Sequence, residues 1–424
     1  MANYITKFKT QADYNSQKYK LDYPNTSYIE GTDEVVLAND VPPYKLLFIL
    51  NDKPNEGVEC DSQNTIITSS DRPEGMNNSD VIGLKVGSCV TGIGEGAFQY
   101  LAHCTDFDFG SLNISEITSI PNNAFTSCGI SGDFNTLFPN VVTVGNYAFQ
   151  YSHITSVDLT GISTGTKSFS YLPYCSSLNT GSMTTIGENE FEFMSQSASG
   201  NVELTVSSSA TQVNKGAFYY AGSTGNHTKL IFDTSNDMLL FDGVTTSSDG
   251  GIMRQSNIKE IYIDRPLSTR TGSIDNYSMY MAFLTNYSSK VNQRKNDSVT
   301  KVTFGPNSKV VPMDCCSYFR VLNDLTISEG VEYINTNAFN YCDVLSSATL
   351  PSTVKKIGNT VFWTSGVRSV TLLATTPPEI TYNSFMWSSG NYMTIYVPAE
   401  SVDAYKAAPV WSEYYTNYIQ PIAE

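Results

Sequence analysis

The stretch "TSIPNNAFTSC", Thr118–Cys128, returns with altered letters as "TVGNYAFQYS" from Thr143, "QVNKGAFYYA" from Gln212 and "YINTNAFNYC" from Tyr333. Each copy runs from an apolar residue through a small polar turn to Ala-Phe and then a small residue. Taking the phenylalanine as phase marker gives Phe98, Phe125, Phe149, Phe191, Phe218, Phe319, Phe339, Phe362 and Phe385. Neighbouring markers often lie 20 (319 to 339) to 27 (98 to 125) residues apart. "GTKSF" at Phe169 fills the double gap after Phe149, and one long interruption remains between Phe218 and Phe319. A period in this range marks a solenoid, in which each coil stacks only on its neighbours.

The unit has its own logic. In "VTKVTF", "LNDLTI", "LSSATL" and "VRSVTL" the last positions alternate, which predicts a short strand with one buried face. A turn follows, then a second apolar pair such as Val354 with Ile357, then "GNTVF". Gly or Asn there tolerates the left-handed backbone that a tight coil needs. Three residues after the marker stands Cys128, Ser152, Ala221, Cys342, Ser365 or Ser388, so a small side chain is expected at that inward bend. Cys128 and Cys342 then act as small buried residues. The 8 cysteines imply no disulfide framework and include no Cys-x-x-Cys pair for zinc.

These phrases, with "VTGIGEGAFQY" and "VKKIGNTVFWTS", resemble the BspA-like (Treponema-type) leucine-rich repeats over about 81–422. The interruption ("TKLIFDTSNDMLLFDG", "NIKEIYIDRPLST", "VTKVTFGPNSKVV") resembles the irregular module of such arrays, and the ending from "TLLATTPPEI" resembles their terminal unit. The resemblance implies a mainly β, right-handed leucine-rich-repeat solenoid with a small N-terminal α+β cap or anchor region and a C-terminal capping unit. The expected organisation is 1–80 anchor or cap, 81–230 repeat array, 231–318 irregular module, 319–395 repeat array and 396–424 cap. It also implies a surface protein that binds other proteins or cells, with packing residues and no catalytic residues in its motif. Two departures stand out: Glu190 replaces Ala before Phe191, and "VPMDCCSYF" is degenerate.

Composition narrows the function classes. Net charge is −16 from 41 acids and 25 bases, so the long-range field repels polyanions, and nucleic acid is not an expected partner. The one basic cluster, "NQRKND" at Asn292–Asp297, reads as a solvated loop. The longest apolar run, "LLFIL" at Leu46–Leu50, suits a buried strand and is far short of a membrane span. No secretory signal is read at the N-terminus.

At the C-terminal end, "PAESVDAYKAAPVWSEY" predicts a short helix over about Ser401–Ala408, stopped by Pro409, with Trp411, Tyr414 and Tyr415 covering the last coil. At the other end, "TQADYNSQ" reads as a short helix, "SYIEGTDEVVLAN" as a hairpin turning at Gly31-Thr32-Asp33, and "PPYKLLFIL" as a buried strand. The opening "MANYITKFKTQADYNSQKYKLDYPNTSYIEGTDEVV" resembles virion proteins of crAss-like phages of Bacteroidales. That likeness implies a virion protein, such as a fibre, decoration or receptor-contacting protein, held to other virion proteins through residues 1–80. The alternative is a BspA-like surface adhesin of a Bacteroidales bacterium. A bacterial surface protein or glycan and a second copy of the chain are the further candidate partners.

Chemistry is sparse. His103, His153 and His227 have no carboxylate or cysteine at ligand spacing, and no nucleophile elbow or His-Glu-x-x-His occurs. Paired acids such as Asp106 with Asp108 and Glu188 with Glu190 lack a calcium loop. No enzyme, metal or cofactor is expected. Surface remains: residues between the inward apolar ones point out of the sheet, giving Ser156, Asp158, Glu260, Tyr262, Lys301, Thr303, Asp324, Thr326, Ser347, Thr349, Ser369 and Thr371 as the candidate binding face for protein or glycan.

Overall fold

Each repeat offers only short apolar pairs, and the backbone answers with short parallel strands, one coil above the next. The computed structural model describes residues 5–8, 26–29, 34–36, 44–51, 56–59, 65–110, 112–242, 251–269, 279, 282–284 and 295–423. The described chain is mainly β and builds a solenoid. It divides into two units, residues 1–156 with 162–172, and residues 157–161 with 173–424.

In the first unit, Thr26–Ile29 pairs antiparallel with Glu34–Val36, the arms of the expected hairpin, and parallel with Ile5–Phe8; the turn expected at Gly31-Thr32-Asp33 lies outside the described residues. The helix expected over "TQADYNSQ" lies outside the described residues. Tyr44–Leu50 is the expected buried strand, with Leu46, Leu47, Phe48 and Leu50 in the core. It pairs antiparallel with Glu56–Glu59 and Val81–Val86, and Val81–Val86 pairs parallel with Asp106–Asp108. The chain thus changes from hairpin pairing to coil pairing at one strand. Lys45 is buried beside it, with its ammonium 2.8 Å from Asp71. Asp71 also accepts from the Thr68 N–H at 2.7 Å, so the buried charges have partners.

The phase-marker wall is a ladder of turns. Asn123, Phe125 and Ser127 donate their N–H groups to Asn146, Ala148 and Gln150 of the next coil at 3.0, 2.8 and 2.7 Å. Between them, Ala124 and Thr126 bond back to Pro121 and Asn123. Left-handed φ at Asn123 (56°) and Ser127 (52°) turns alternate N–H groups along the stack, and the same pair recurs at Tyr147 and Tyr151, and at Asn337 and Tyr341. Behind this wall Phe125 stacks on Phe149 (5.0 Å, 9°) and Phe149 on Phe169 (5.3 Å, 2°). Burying each ring contributes roughly 2–3 kcal/mol.

In the second unit a continuous parallel ladder runs through Ser177–Asn179, Gly200–Val206, Asn226–Phe232, Ile258–Ile263, Lys301–Phe304 and Asp324–Ile327. A second ladder runs Ser347–Leu350, Ser369–Leu372, Thr394–Val397 and Ile419–Pro421. The coils pass so closely that Gly181 (φ 53°) has no room for a side chain: a Cβ there would meet the Leu159 carbonyl carbon at 2.0 Å.

Two expectations about phase are corrected here. Cys316 N–H donates to Ala338 O (2.9 Å) as Phe339 N–H donates to Val361 O (2.9 Å), so Cys316, not Phe319, holds the marker place. Phe319 fills the slot three residues on, where the next coil has Cys342. Nor is that slot reserved for small residues: Leu101, Leu172, Met194 and Phe319 occupy it, all buried. In the long interruption, Phe218 N–H to Ile252 O and Tyr220 N–H to Arg254 O place Met253 in phase. Asn296, expected in a solvated loop, is fully buried and its amide donates to Phe283 O at 2.7 Å.

Arg265 is also fully buried. Its guanidinium donates to the carbonyls of Ala210 (2.7 Å), Ser207 (3.1 Å) and Asp237 (3.2 Å), tying three turns together. At the C-terminal end a helix spans Val402–Ala407 and a second spans Trp411–Tyr414. Trp411 Nε1 donates to Pro378 O (2.9 Å), Tyr405 OH to Ala374 O (2.7 Å) and Tyr415 OH to Tyr382 O (2.9 Å). Trp411, Tyr405 and Tyr415 are buried, whereas Tyr414, expected to cover the coil with them, is 41% exposed. The cysteines at 104, 128, 175, 315, 316 and 342 are free and buried, while Cys89 is disulfide-bonded.

Candidate functional site

Period-two alternation decides which side chains leave the sheet, and strand register decides which of them meet. Glu260 pairs in register with Lys301 and Tyr262 with Thr303; Lys301 pairs with Asp324 and Thr303 with Thr326. Six of the candidate residues therefore form two adjacent rungs on one face of the second unit. Ser347 with Ser369, and Thr349 with Thr371, form equivalent rungs of the following ladder. Ser156 belongs to the first unit, and its hydroxyl donates to the Asp133 carboxylate. Asp158 is exposed but turned to local work, accepting from the Thr160 N–H (2.9 Å) and hydroxyl (2.7 Å).

The same register adds residues that the sequence reading passed over. Glu203 pairs with Lys229, and Lys229 with Glu260, so one rung reads Glu203, Lys229, Glu260, Lys301, Asp324. Charges alternate along it. Glu260 is the hub, with its carboxylate 3.3 Å from Lys229 Nζ, 3.5 Å from His227 Nε2 and 3.7 Å from Lys301 Nζ. His227 thus faces a carboxylate 33 residues away in sequence, which spacing along the chain does not reveal. Counting alternate residues through "NVELTV" and "HTKLIF" would have placed Glu203 and Lys229. Lys229 Nζ also lies 5.6 Å from the Tyr262 ring centre. Burial, then the neighbouring Asp264, pushes the Tyr262 phenol upward, so it stays a neutral donor. Asn201, Val202, Glu203, His227, Lys229 and Glu260 line a polar depression of about 390 Å³ on this face.

Such a face offers many directional donors and acceptors held by a rigid ladder. His153 is half-buried at the start of another strand, with burial pulling its pKa down. Among the described residues, no group of three or more His, Cys, Asp or Glu side chains is placed to hold a metal ion, and no helix is long and apolar enough to cross a membrane.

Residues 76–134, 91–225 and 294–392 match, in 6 copies, a family model described as the BspA type leucine rich repeat region. No catalytic family is indicated. No curated protein matches the chain. Among solved structures, a leucine-rich repeat protein from Bacteroides ovatus is similar at 16% identity and a TM-score of 0.42, covering 95% of this chain and 99% of that one. The pneumococcal vaccine antigen PcpA is similar at 13% identity and a TM-score of 0.25, covering 80% of this chain and 78% of that one. The family match spans more than half of the residues, and it falls on the coils whose phase, turns and stacked rings are described above. The chain belongs to the BspA-type leucine-rich repeat family.

Proposed function

We propose that this protein is a non-enzymatic binding scaffold of a bacteriophage particle, a fibre, decoration or receptor-contacting protein. Residues 1–80 attach it to other virion proteins, and the outward rungs of its parallel ladders meet a bacterial surface protein or glycan. One observation carries the binding part of this reading: Glu260, Tyr262, Lys301, Thr303, Asp324 and Thr326 stand in register on one sheet face. A row of polar side chains fixed by backbone pairing loses little freedom on binding, and this favours recognition through many weak contacts. The N-terminal likeness to virion proteins supports the particle assignment.

Mass spectrometry of purified virions is expected to find this chain at a fixed copy number, and its absence from them would end the assignment. Soluble protein is expected to compete with virions for adsorption. A variant combining Tyr262→Ala, Lys301→Gln and Thr303→Ala should lose that competition while keeping its fold. The disulfide at Cys89 suits a virion protein and equally a second reading, a cell-surface adhesin of a Bacteroidales bacterium. Disulfides persist in oxidising surroundings outside the cytoplasm. Antibody labelling of phage-free cells separates the two.

A further inference from the structure

A different wall of the second unit carries a small cavity of about 140 Å³, lined by Glu188, Asn189, Lys215, Gly216, Tyr219 and Arg254. Tyr219 and Arg254 hold the same place in successive coils, one residue after the markers Phe218 and Met253. The Arg254 guanidinium lies 5.6 Å from the Tyr219 ring centre. Arg320 and Arg368 also sit over aromatic rings, but each already donates to an oxygen partner. Arg320 pairs with Asp343 at 2.7 Å, and Arg368 donates to Ser365 O at 2.8 Å. Arg254 has no carboxylate or carbonyl partner among the described residues, so a planar fork of donors stands open at the cavity.

We propose that this cavity binds the carboxylate of an acidic sugar, with Arg254 gripping the carboxylate and Tyr219 meeting the apolar edge of the sugar ring. Lys215 is drawn 3.4 Å from the exposed Glu188, which also lines the cavity, so these two charges offset each other and Arg254 supplies the positive charge, while Glu192 is buried beside Tyr219. Tyr219 belongs to a cluster of rings, 4.4 Å from Tyr220, and Tyr220 stacks on Phe193 at 4.6 Å and 20°. Flat rings suit the C–H face of a pyranose, which an aspartate side chain lacks. The cavity, at about 140 Å³, has room for a carboxylate and the rim of its ring. Gly216 (φ 67°) keeps the rim open, because a Cβ there would stand 2.1 Å from Asn189 Oδ1. That leaves the Asn189 amide at the edge, where sugar hydroxyls need partners.

Isothermal titration of the full chain with tri-galacturonate, its methyl ester and acetate tests the proposal. Binding of the tri-galacturonate is expected, with the ester and acetate each weaker by about tenfold or more, the worth of a charge-assisted hydrogen bond or a ring contact. Arg254→Gln and Tyr219→Ala should each weaken tri-galacturonate by a similar factor, with the circular dichroism spectrum unchanged. No binding, equal binding of ester or acetate, or an Arg254→Gln variant that binds like the parent would overturn it. Tyr262→Ala with Lys301→Gln should leave this titration unchanged, so the outcome is independent of the strand face.

Discussion

Three residues after Phe339 comes Cys342; in the preceding coil Cys316 is followed by Phe319, and all four side chains are buried. Large and small have traded places, so the volume of the layer is kept while its order is reversed. Cys316→Phe alone should overpack the layer at a cost of about 1–3 kcal/mol. Phe319→Cys alone should open a cavity costing about 3 kcal/mol or more. Made together, the two should cost at least about 1 kcal/mol less than their sum in urea melts, because each relieves the other. The buried thiols give a pH test at the same scale. Burial, with Asp106 nearby, pushes the Cys104 thiol up to about 12, and burial, opposed by a backbone hydrogen bond with Ser177, pushes Cys175 to about 12. Their ordinary value is 9.0. An acid whose folded pKa is raised loses its proton first in the unfolded chain, so the stabilisation is complete below about pH 9 and is lost as pH rises toward 12. Urea midpoints should therefore fall between about pH 8 and about pH 10.5, and a thiol reagent should modify these cysteines only after unfolding.

Within a strand, the two faces do separate work. Ile261 is buried between outward Glu260 and Tyr262, and the coil stack depends on it rather than on them. Ile261→Ala is expected to cost about 2–5 kcal/mol, as large-to-small core changes do. Glu260→Gln releases the contacts to Lys229, His227 and Lys301, yet these are partly exposed pairs, so thermal unfolding should register less than about 1 kcal/mol. The outward rungs can therefore be rewritten without loss of fold, which makes them free to evolve toward a ligand. Alternation in "VTKVTF" and "LNDLTI" reveals the outward residues of single strands. It does not reveal that Lys229 and His227 converge on Glu260, because strands 30 or more residues apart are brought together only by the stacking.

For the whole molecule, an end is the weak point of a structure whose units touch only their neighbours. The C-terminal helices close one end by placing Trp411, Tyr405 and Tyr415 on the last coil with three hydrogen bonds to its carbonyls. Trp411→Ala should cost about 3–5 kcal/mol and expose that coil, so light scattering should show association of the variant. The cap was legible as a short helix, a proline stop and aromatic bulk, but which tyrosine would be left out was not. The repeat itself was written in the sequence because every coil must solve the same packing problem with the same few side chains: an apolar pair, a turn that tolerates left-handed backbone, and a ring. Where a coil solved it differently, as at Cys316 and Met253, the letters concealed the phase and only the hydrogen-bond ladder between coils restored it. The charged rung around Glu260 and the open fork of Arg254 belong to the tertiary structure alone. Both depend on which coils are neighbours and how their residues align, and that is set by the stacked backbone rather than by the distance between residues along the chain.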